Sequence, residues 1–317
     1  MNDLPDLLAH LATQPDYGQF KAYHYTRIGG GRNNLIYRAT SETGDYAVKF
    51  TIRDQRRRAC REYMALCALQ QAGVPIAAQP IWLDETSYAQ PVVVQSWEMG
   101  EVSAEAPQTD DEWRQLLNCY AALTQVTPEK VRVGVETAVI NFASIAHAHQ
   151  HIQQQLGHIP PTHRPDSLNE LLHQLPSAPL LPCPPPPITL CHVDSNSLNF
   201  IRRPNRWLMV DWENSGWGDP AFEIADMMTH PQFMDVSSER WQWVIGLYEE
   251  LVEEETAVLR IRAYYPLMLV WWVVRLARAR YETPRGLDDR LVARPSNWLE
   301  KNQALYDHYW QRALAEL

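Results

Sequence analysis

The sequence feature that most constrains the fold is a pair of strand-like runs, residues 198–203 and 206–211, that flank Pro204-Asn205. Pro-Asn is favourable turn chemistry, so the two runs are predicted to pair as a tight hairpin. Asn199 would then lie across the hairpin, beside Asp211. An amide oxygen and a carboxylate would converge on one point, as a hard cation such as magnesium requires.

A second pattern, His-x-Asp-x-x-x-x-Asn, runs from His192 through Asp194 to Asn199. In loops of this pattern the acid positions and deprotonates an acceptor hydroxyl, and the amide five residues later holds magnesium. Asp194 is therefore the candidate base, and His192 is expected to support the loop. Asn199 and Asp211 are the candidate metal ligands. The pattern alone also fits a polar loop capped by its own side chains, but the hairpin and the second acid favour phosphoryl transfer from a nucleotide.

The first 98 residues alternate strand-like runs with one basic helix, which indicates a small sheet region. The helix is predicted for residues 54–72, and it ends at Gly73 with Pro75 just beyond, as C-terminal stop signals do. β-Branched and aromatic residues between turn signals predict five antiparallel strands, at residues 25–28, 35–39, 46–50, 80–83 and 91–95.

Lys49 lies in the third predicted strand between apolar neighbours, so its side chain is a candidate to face inward and meet phosphate. Kinases hold such a lysine with a carboxylate from a helix. Glu62 is the only acidic residue between Gln55 and Leu83, which makes it the predicted partner. The alternative is an ordinary surface pair of Glu62 with Arg58 on the same helix.

A glycine-rich turn at residues 29–34 lies between the first two predicted strands. Glycine allows backbone N–H groups to approach phosphates closely. A structural hairpin turn is the alternative, and the P-loop and dinucleotide patterns do not fit, because they require a following helix and other glycine spacings. The candidate nucleotide-binding residues of this turn are Gly30, Gly31, Arg32, Asn33 and Asn34.

Helices are predicted to dominate from Thr109 onward, with capping boxes at residues 109–112 and 167–170. Farther along, Trp271 and Trp272 lie in an apolar helix and could hold a cationic acceptor by cation–π attraction. The alternative is that both rings are part of the helical core.

The overall composition limits the classes of partner and the cellular compartment that can be expected for this protein. A formal net charge of -10 argues against a nucleic-acid partner, which calls for clustered positive charge. Five cysteines, odd in number and without CxxC pairing, indicate reduced thiols. The N-terminus has no secretory pattern, and the longest apolar run, residues 263–274, contains Pro266 and is too short to span a membrane. A soluble cytoplasmic protein without a membrane partner is expected, in an oligomeric state that the sequence leaves open.

Together the motifs resemble the aminoglycoside phosphotransferase and choline kinase superfamily, over roughly residues 23–230. The most specific parts are Asp-Trp-Glu at 211–213 and Trp-Gly-Asp-Pro-Ala-Phe-Glu-Ile-Ala at 217–225. The resemblance implies an α+β, bilobal, protein-kinase-like fold. Its N-lobe, residues 1–98, would hold the five-stranded antiparallel sheet and its helix, and its C-lobe, residues 99–317, would be mainly helical with the catalytic β-hairpin.

The same resemblance assigns the nucleotide and the substrate class. Backbone groups of residues 96–98, which are Ser96, Trp97 and Glu98, would hold the base of ATP, with GTP not excluded and Mg²⁺ as the metal. Glu213 stands where protein kinases have the glycine of Asp-Phe-Gly, which implies a small-molecule substrate and makes Glu213 a candidate substrate residue. One departure concerns Val193, because the usual family loop resembles His-Gly-Asp-Leu-His-x-Gly-Asn.

These observations predict an ATP-dependent kinase that phosphorylates a hydroxyl of a small molecule, which could be cationic like an aminoglycoside, choline or thiamine. The alternative is a nucleotide-binding pseudokinase with a regulatory role, although the lysine, the base and both metal ligands are all present. A protein kinase is disfavoured, because Asp-Phe-Gly and Ala-Pro-Glu are missing from the sequence.

Overall fold

The structure is a computed structural model that describes residues 3–29, 34–177, 184–287 and 294–317. It has the expected α+β architecture, with a sheet-rich N-lobe and a mainly helical C-lobe. The N-lobe contains an antiparallel sheet in the order β1-β2-β3-β4-β6-β5. In the sequence, one helix precedes the sheet and a second lies between the fourth and fifth strands. Its elements are α1 (Leu4–Leu11), β1 (Tyr17–Phe20), β2 (Tyr23–Ile28), β3 (Leu35–Ser41), β4 (Gly44–Phe50), α2 (Arg58–Ala72), β5 (Pro80–Asp84) and β6 (Val92–Ser96).

The N-lobe sheet has six strands, so the predicted count of five is wrong. The additional strand is β1, which pairs with β2 from Tyr17 opposite Thr26 to Phe20 opposite Tyr23. All four of its residues are exposed or half-buried, so it has no apolar face that alternation could reveal. Helix α2 begins at Arg58 rather than at residue 54, because Arg57 has a left-handed φ of 52° that helical backbone does not adopt.

Helix α1 covers one face of the sheet. Its four leucines recur at helical spacing and are all buried: Leu4, Leu7, Leu8 and Leu11. They pack in one apolar cluster with strand residues that include Tyr25, Tyr37, Val48 and Phe50. Each buried leucine stabilises this packing by about 1.5–3 kcal/mol relative to exposure. The α1 leucines therefore pack against one face of the sheet that carries Lys49.

The C-lobe is mainly helical and contains two small two-stranded sheets, β7 with β10 and β8 with β9. The capping box at residues 109–112 is confirmed at the start of α3. The one at residues 167–170 is wrong, because α5 begins after Pro165 without a side-chain cap, and the Ser167 hydroxyl instead lies 2.8 Å from that of Tyr306. The elements are α3 (Asp110–Leu123), α4 (Ile145–Leu156), α5 (Asp166–Gln174), β7 (Thr189–Cys191), β8 (Phe200–Ile201), β9 (Leu208–Met209), β10 (Gly216–Gly218), α6 (Pro220–Thr229), α7 (Ser238–Val252), α8 (Ala257–Glu282) and α9 (Trp298–Glu316).

Helix α8 is the central helix of the C-lobe and packs against α4, α6 and α9. It extends well beyond the apolar run at residues 263–274 and includes Pro266 in its interior. By length and composition the segment Ala257–Arg285 could cross a membrane, but 78% of its apolar window is buried inside the protein. A helix whose apolar surface is covered by its neighbours is the core helix of a globular lobe.

Arginines of α2 attach the N-lobe to the C-lobe. The Arg61 guanidinium donates to the backbone oxygens of Thr137 and Ser215, at 2.7 Å each. Arg61 also pairs with Glu136 at 2.9 Å, and Arg57 reaches the same carboxylate at 3.1 Å. The helix that carries Glu62 is therefore held against residues of the other lobe.

Candidate active site

The catalytic hairpin has the register that its turn chemistry predicts. Phe200 is opposite Met209 and Ile201 is opposite Leu208. The backbone N–H of Val210 donates to the carbonyl oxygen of Asn199 at 2.9 Å. The hairpin thus places Asn199 across from the residue that precedes Asp211.

His192 ties the loop to this hairpin. Its Nε2 donates to the carbonyl oxygen of Val210 at 2.8 Å, and its ring lies edge-on to that of Trp212 at 4.7 Å. The side chain is fully buried, and this burial lowers the pKa of His192 to about 4. His192 is therefore neutral at physiological pH, and it positions the chain before Asp211 rather than transferring a proton.

Asp194 has the properties of a base that works near neutral pH. Burial of its carboxyl group, followed by the charges of Asp211 and Asp226, raises its pKa to about 7. One of its oxygens accepts the backbone N–H of Asn196 at 3.2 Å. The next residue, Ser195, donates its hydroxyl to Asp226 at 2.8 Å. A carboxylate whose pKa lies near the working pH suits general-base chemistry.

Val193 explains why the family loop favours glycine at this position. Its φ is 58°, in the left-handed region where a β-branched side chain is strained. Its backbone N–H donates to both carboxylate oxygens of Glu223, at 3.1 and 3.3 Å. Burial raises the pKa of Glu223 to about 8. Glu223 lies in the family-specific stretch at 217–225, but sequence reasoning did not assign it this loop-supporting contact.

Asn199 and Asp211 supply oxygens that fit a hard cation. The Asn199 amide nitrogen donates to the carbonyl oxygen of Asp194 at 3.4 Å, and its side-chain oxygen makes no hydrogen bond with the part of the chain that the structure describes. One oxygen of Asp211 accepts from Lys49, and the other makes no hydrogen bond within the described residues. In the described ranges no group of three or more His, Cys, Asp or Glu residues could hold a metal. A two-ligand site of this kind suits Mg²⁺, which completes its shell with waters and phosphates.

Lys49 has the partner that was predicted for it. Its ammonium group donates to Glu62 at 2.7 Å and to Asp211, and lies 3.8 Å from Glu213. Burial alone would lower the pKa of Lys49, but the charges of Asp211, Glu62 and Glu213 outweigh it and raise that pKa. The lysine is only 3% exposed and stays charged. Its role in holding phosphates remains a prediction.

Glu213 lies at the junction of the two lobes. One of its oxygens accepts the side-chain amide of Asn34 at 2.7 Å, and the other accepts the guanidinium of Arg58. Arg58 also pairs with Asp54 at 2.9 Å. Both oxygens of Glu213 are thus committed to N-lobe donors. Its contact with a substrate stays a prediction, and Asn34 has a structural contact that its predicted phosphate role did not include.

The segment at residues 96–98 joins the lobes. Ser96 and Trp97 donate their backbone N–H groups to the carbonyls of Gln79 and Asp45, at 2.9 Å each. Glu98 accepts from Arg203 of the hairpin at 2.7 Å. Its backbone N–H meets no acceptor in the described parts of the chain, so it is free to bind the edge of a base. Of the glycine-rich turn, Gly30, Gly31, Arg32 and Asn33 lie outside the described residues.

Trp271 and Trp272 are buried, at 2% and 8% exposure. The guanidinium carbon of Arg275 lies 5.0 Å from the centroid of each ring. Trp272 also stacks on Tyr309 at 5.3 Å. The cation that these two rings contact in the structure is the guanidinium of Arg275, an arginine of the protein itself. Contact of these rings with an acceptor stays a prediction.

Comparison with known proteins agrees with this geometry. A model of the "Phosphotransferase enzyme family" matches residues 24–259. No curated protein matches the chain. Among solved structures, a choline/ethanolamine kinase family protein from Mesorhizobium loti is 18% identical, with a TM-score of 0.63 and coverage of 98% of this chain and 94% of that one. The choline kinase LicA from Streptococcus pneumoniae is 15% identical, with a TM-score of 0.58 and coverage of 100% and 99%.

An amicoumacin kinase, solved with AMP-PNP and Ca²⁺, is 13% identical, with a TM-score of 0.59 and coverage of 98% of this chain and 93% of that chain. At these identities the structural likeness shows the kinase-like fold alone. The family match covers most of the chain, including the catalytic loop, the hairpin and Lys49. The chain therefore belongs to the phosphotransferase enzyme family and is a kinase that acts on an alcohol group.

Proposed function

We propose that the protein transfers the γ-phosphoryl group of ATP to a hydroxyl of a small molecule. The observation that carries the proposal is the convergence of three separate features between the lobes. These are the Asp194 carboxyl with its raised pKa, the Asn199 and Asp211 oxygens of the hairpin, and the buried Lys49. Each serves one part of phosphoryl transfer.

Positioning and electrostatics would provide most of the catalysis, since the transition state spreads charge over the transferred group. Lys49, held by Glu62, would bind the donor phosphates. Asn199 and Asp211 would hold Mg²⁺, which neutralises charge on the phosphates when it is bound. Lys49 also donates to Asp211, so the lysine links the proposed phosphate site to one of the proposed metal ligands.

Asp194 would orient the acceptor hydroxyl and take its proton. A base with a pKa near 7 is largely ionised at slightly alkaline pH and still binds a proton well. His192 and Glu223 would keep the loop in place through Val210 and Val193. The backbone N–H of Glu98, which has no acceptor in the described residues, would donate to the base of the nucleotide, with ATP as the proposed phosphoryl donor and GTP as an alternative.

Two further assignments accompany this proposal. The lobe boundary falls between Glu98 and Met99, where β6 has ended. A cytoplasmic location is consistent with the free thiols of Cys60, Cys67, Cys119 and Cys191. Cys183 lies outside the described residues.

The test compares Asp194→Asn with Asp16→Asn, a change at an exposed aspartate of the N-lobe. Wild-type protein with Mg-ATP is screened against aminoglycosides, choline, thiamine, sugars, amino alcohols and hydroxy acids, and ADP release is measured. Loss of a general base lowers kcat by about 10²–10⁴-fold. Asp194→Asn should show this loss while it still binds nucleotide in a calorimetric titration, and Asp16→Asn should match the wild type.

An Asp194→Asn variant with the wild-type rate on the true acceptor would show that Asp194 is not the base. Nucleotide binding without phosphorylation of any acceptor would favour the nucleotide-binding regulatory module instead. Phosphorylation of generic protein substrates would point to a protein kinase.

A further inference from the structure

Two arginines near the candidate active site have no carboxylate within ion-pair distance among the described residues. Arg275 on α8 and Arg56 in the loop before α2 both have exposed side chains. Within the described residues neither guanidinium forms an ion pair, and the one hydrogen bond of the Arg56 guanidinium is a long contact of 3.5 Å to Asn214. Their neighbours differ, because Arg57, Arg58 and Arg61 each pair with a carboxylate.

The packing of α8 places Arg275 beside the catalytic loop. Trp272, which carries the Arg275 guanidinium on its ring, lies 6.1 Å from the ring of His230. In the same turn as His230, the side chain of Gln232 accepts the backbone N–H of Ser197 at 2.6 Å. The positive charge of Arg275 acts on Asp194 and Asp226.

Two buried hydrogen-bond donors lie next to the Arg275 guanidinium. The buried indole N–H groups of Trp271 and Trp272 have no acceptor within the described ranges. Desolvation in the cleft, followed by the charges of Arg58 and Arg275, lowers the pKa of Arg56 to about 10. The carboxylates of Asp54 and Glu213 offset this lowering only in part, and an anion between Arg56 and Arg275 would relieve the remaining repulsion.

We propose that the acceptor carries an anionic group, a carboxylate or a phosphate monoester, and that Arg275 with Arg56 binds this group while the acceptor hydroxyl meets Asp194. The inference rests on the proposed function and narrows its substrate class. A quaternary ammonium cannot use the aromatic pair in the usual way, because the guanidinium of Arg275 already occupies the cation position. The planar guanidinium fork suits bidentate binding of carboxylate or phosphate oxygens.

The activity test uses small hydroxyl compounds that differ in charge. Glycerate and homoserine carry a carboxylate, glycerol 3-phosphate carries a phosphate, glycerol is neutral, and ethanolamine and choline are cations. The anionic compounds should be phosphorylated preferentially. Comparing the rates of the carboxylates with that of glycerol 3-phosphate identifies which anionic group the site binds better. Arg275→Met and Arg56→Met should each raise the KM for the anionic acceptor by about tenfold or more, and the KM for ATP should stay unchanged.

Arg280→Met is the matched control. Arg280 lies on the same helix, five residues after Arg275, and it also faces a ring, that of Tyr306 at 5.7 Å. This variant should keep wild-type kinetics. Preference for choline or ethanolamine over every anionic compound would overturn the inference and leave the proposed kinase function intact. An increase in the KM for ATP alone in Arg275→Met would also overturn it, because the arginine would then bind the donor.

A binding measurement separates failure of this inference from failure of the proposed function. If no acceptor is phosphorylated, thermal shifts with glycerate, glycerol 3-phosphate and inorganic phosphate are measured in the presence of Mg-ADP. A shift in the wild type and in Arg280→Met that disappears in Arg275→Met would support the anion site. An equal shift in Arg275→Met, or no shift in the wild type, would refute it.

Discussion

Replacing Glu213 by glutamine tests whether this residue joins the lobes or contacts the substrate. The carboxylate accepts from Asn34 and Arg58, and Lys49 lies 3.8 Å away. Glutamine keeps the shape and can still accept from Asn34. Its amide nitrogen, however, would face the guanidinium of Arg58, so two donors would meet and a buried cation would lose its closest charge partner.

The magnitude follows from the burial of the pair. The Glu213 and Arg58 side chains are 6% and 8% exposed. Removing one member of a buried ion pair costs about 3–5 kcal/mol. Asp54 still pairs with Arg58, so the lower end of this range is expected. With an unfolding entropy of about 2.1 cal/mol/K per residue, the Tm should fall by about 4–5 °C.

The assay is thermal unfolding of nucleotide-free protein, with Glu85→Gln as the matched control. Glu85 pairs with Arg57, but these side chains are 31% and 51% exposed. An exposed pair contributes less than about 1 kcal/mol, so the control should lose at most about 2 °C. The double variant Glu213→Gln/Arg58→Met should lose less stability than the two single variants combined. If Glu213→Gln kept the wild-type Tm and raised only the KM for the acceptor, the interlobe role would be refuted and the substrate role supported.

Three further predictions concern the loop, the base and the lysine. Val193→Gly should be more stable than Val193→Ala by about 1 kcal/mol in urea unfolding, because the φ of residue 193 is 58° and glycine adopts this conformation without strain. Alanine is usually the more stabilising of the two residues, so a more stable alanine variant would contradict the strain. The kcat should rise with pH through a pKa near 7 as Asp194 ionises. Asp226→Asn removes a negative charge that raises the pKa of Asp194, so this variant should move the rise to lower pH. An unchanged pH profile would show that Asp226 does not affect the pKa of Asp194. Glu62→Ala should raise the KM for ATP about tenfold or more by releasing Lys49, and an unchanged KM would show that the pair does not serve the nucleotide.

Features that depend on neighbouring residues could be predicted from the sequence. The hairpin register follows from Pro204-Asn205 and two short runs, and the structure confirms it. The contact between Lys49 and Glu62 could be predicted because the helix offers no other acid, and both residues lie where the pattern places them. Strand β1 was missed because a short edge strand with polar neighbours has no periodic apolar face.

Features that depend on packing between the lobes could not be predicted in the same way. Glu213 meets Asn34 and Arg58 only after the chain has folded, and those residues are more than 150 positions away. Arg275 follows an apolar helix and looks like a C-terminal charge, yet it lies on the ring of Trp272 beside the cleft. Buried polar contacts of this kind leave no periodic signal in the sequence, since they depend on single side chains.

Protein kinases are switched by moving the helix that carries the glutamate and by phosphorylating a long loop after the metal-binding aspartate. Here the helix is fastened by Arg61 to carbonyls of the other lobe, and residues 212–215 alone separate Asp211 from β10. The pair of Lys49 and Glu62 is therefore held in place by contacts that the chain itself makes. A helix movement of the kind that switches protein kinases would have to break both Arg61 contacts first.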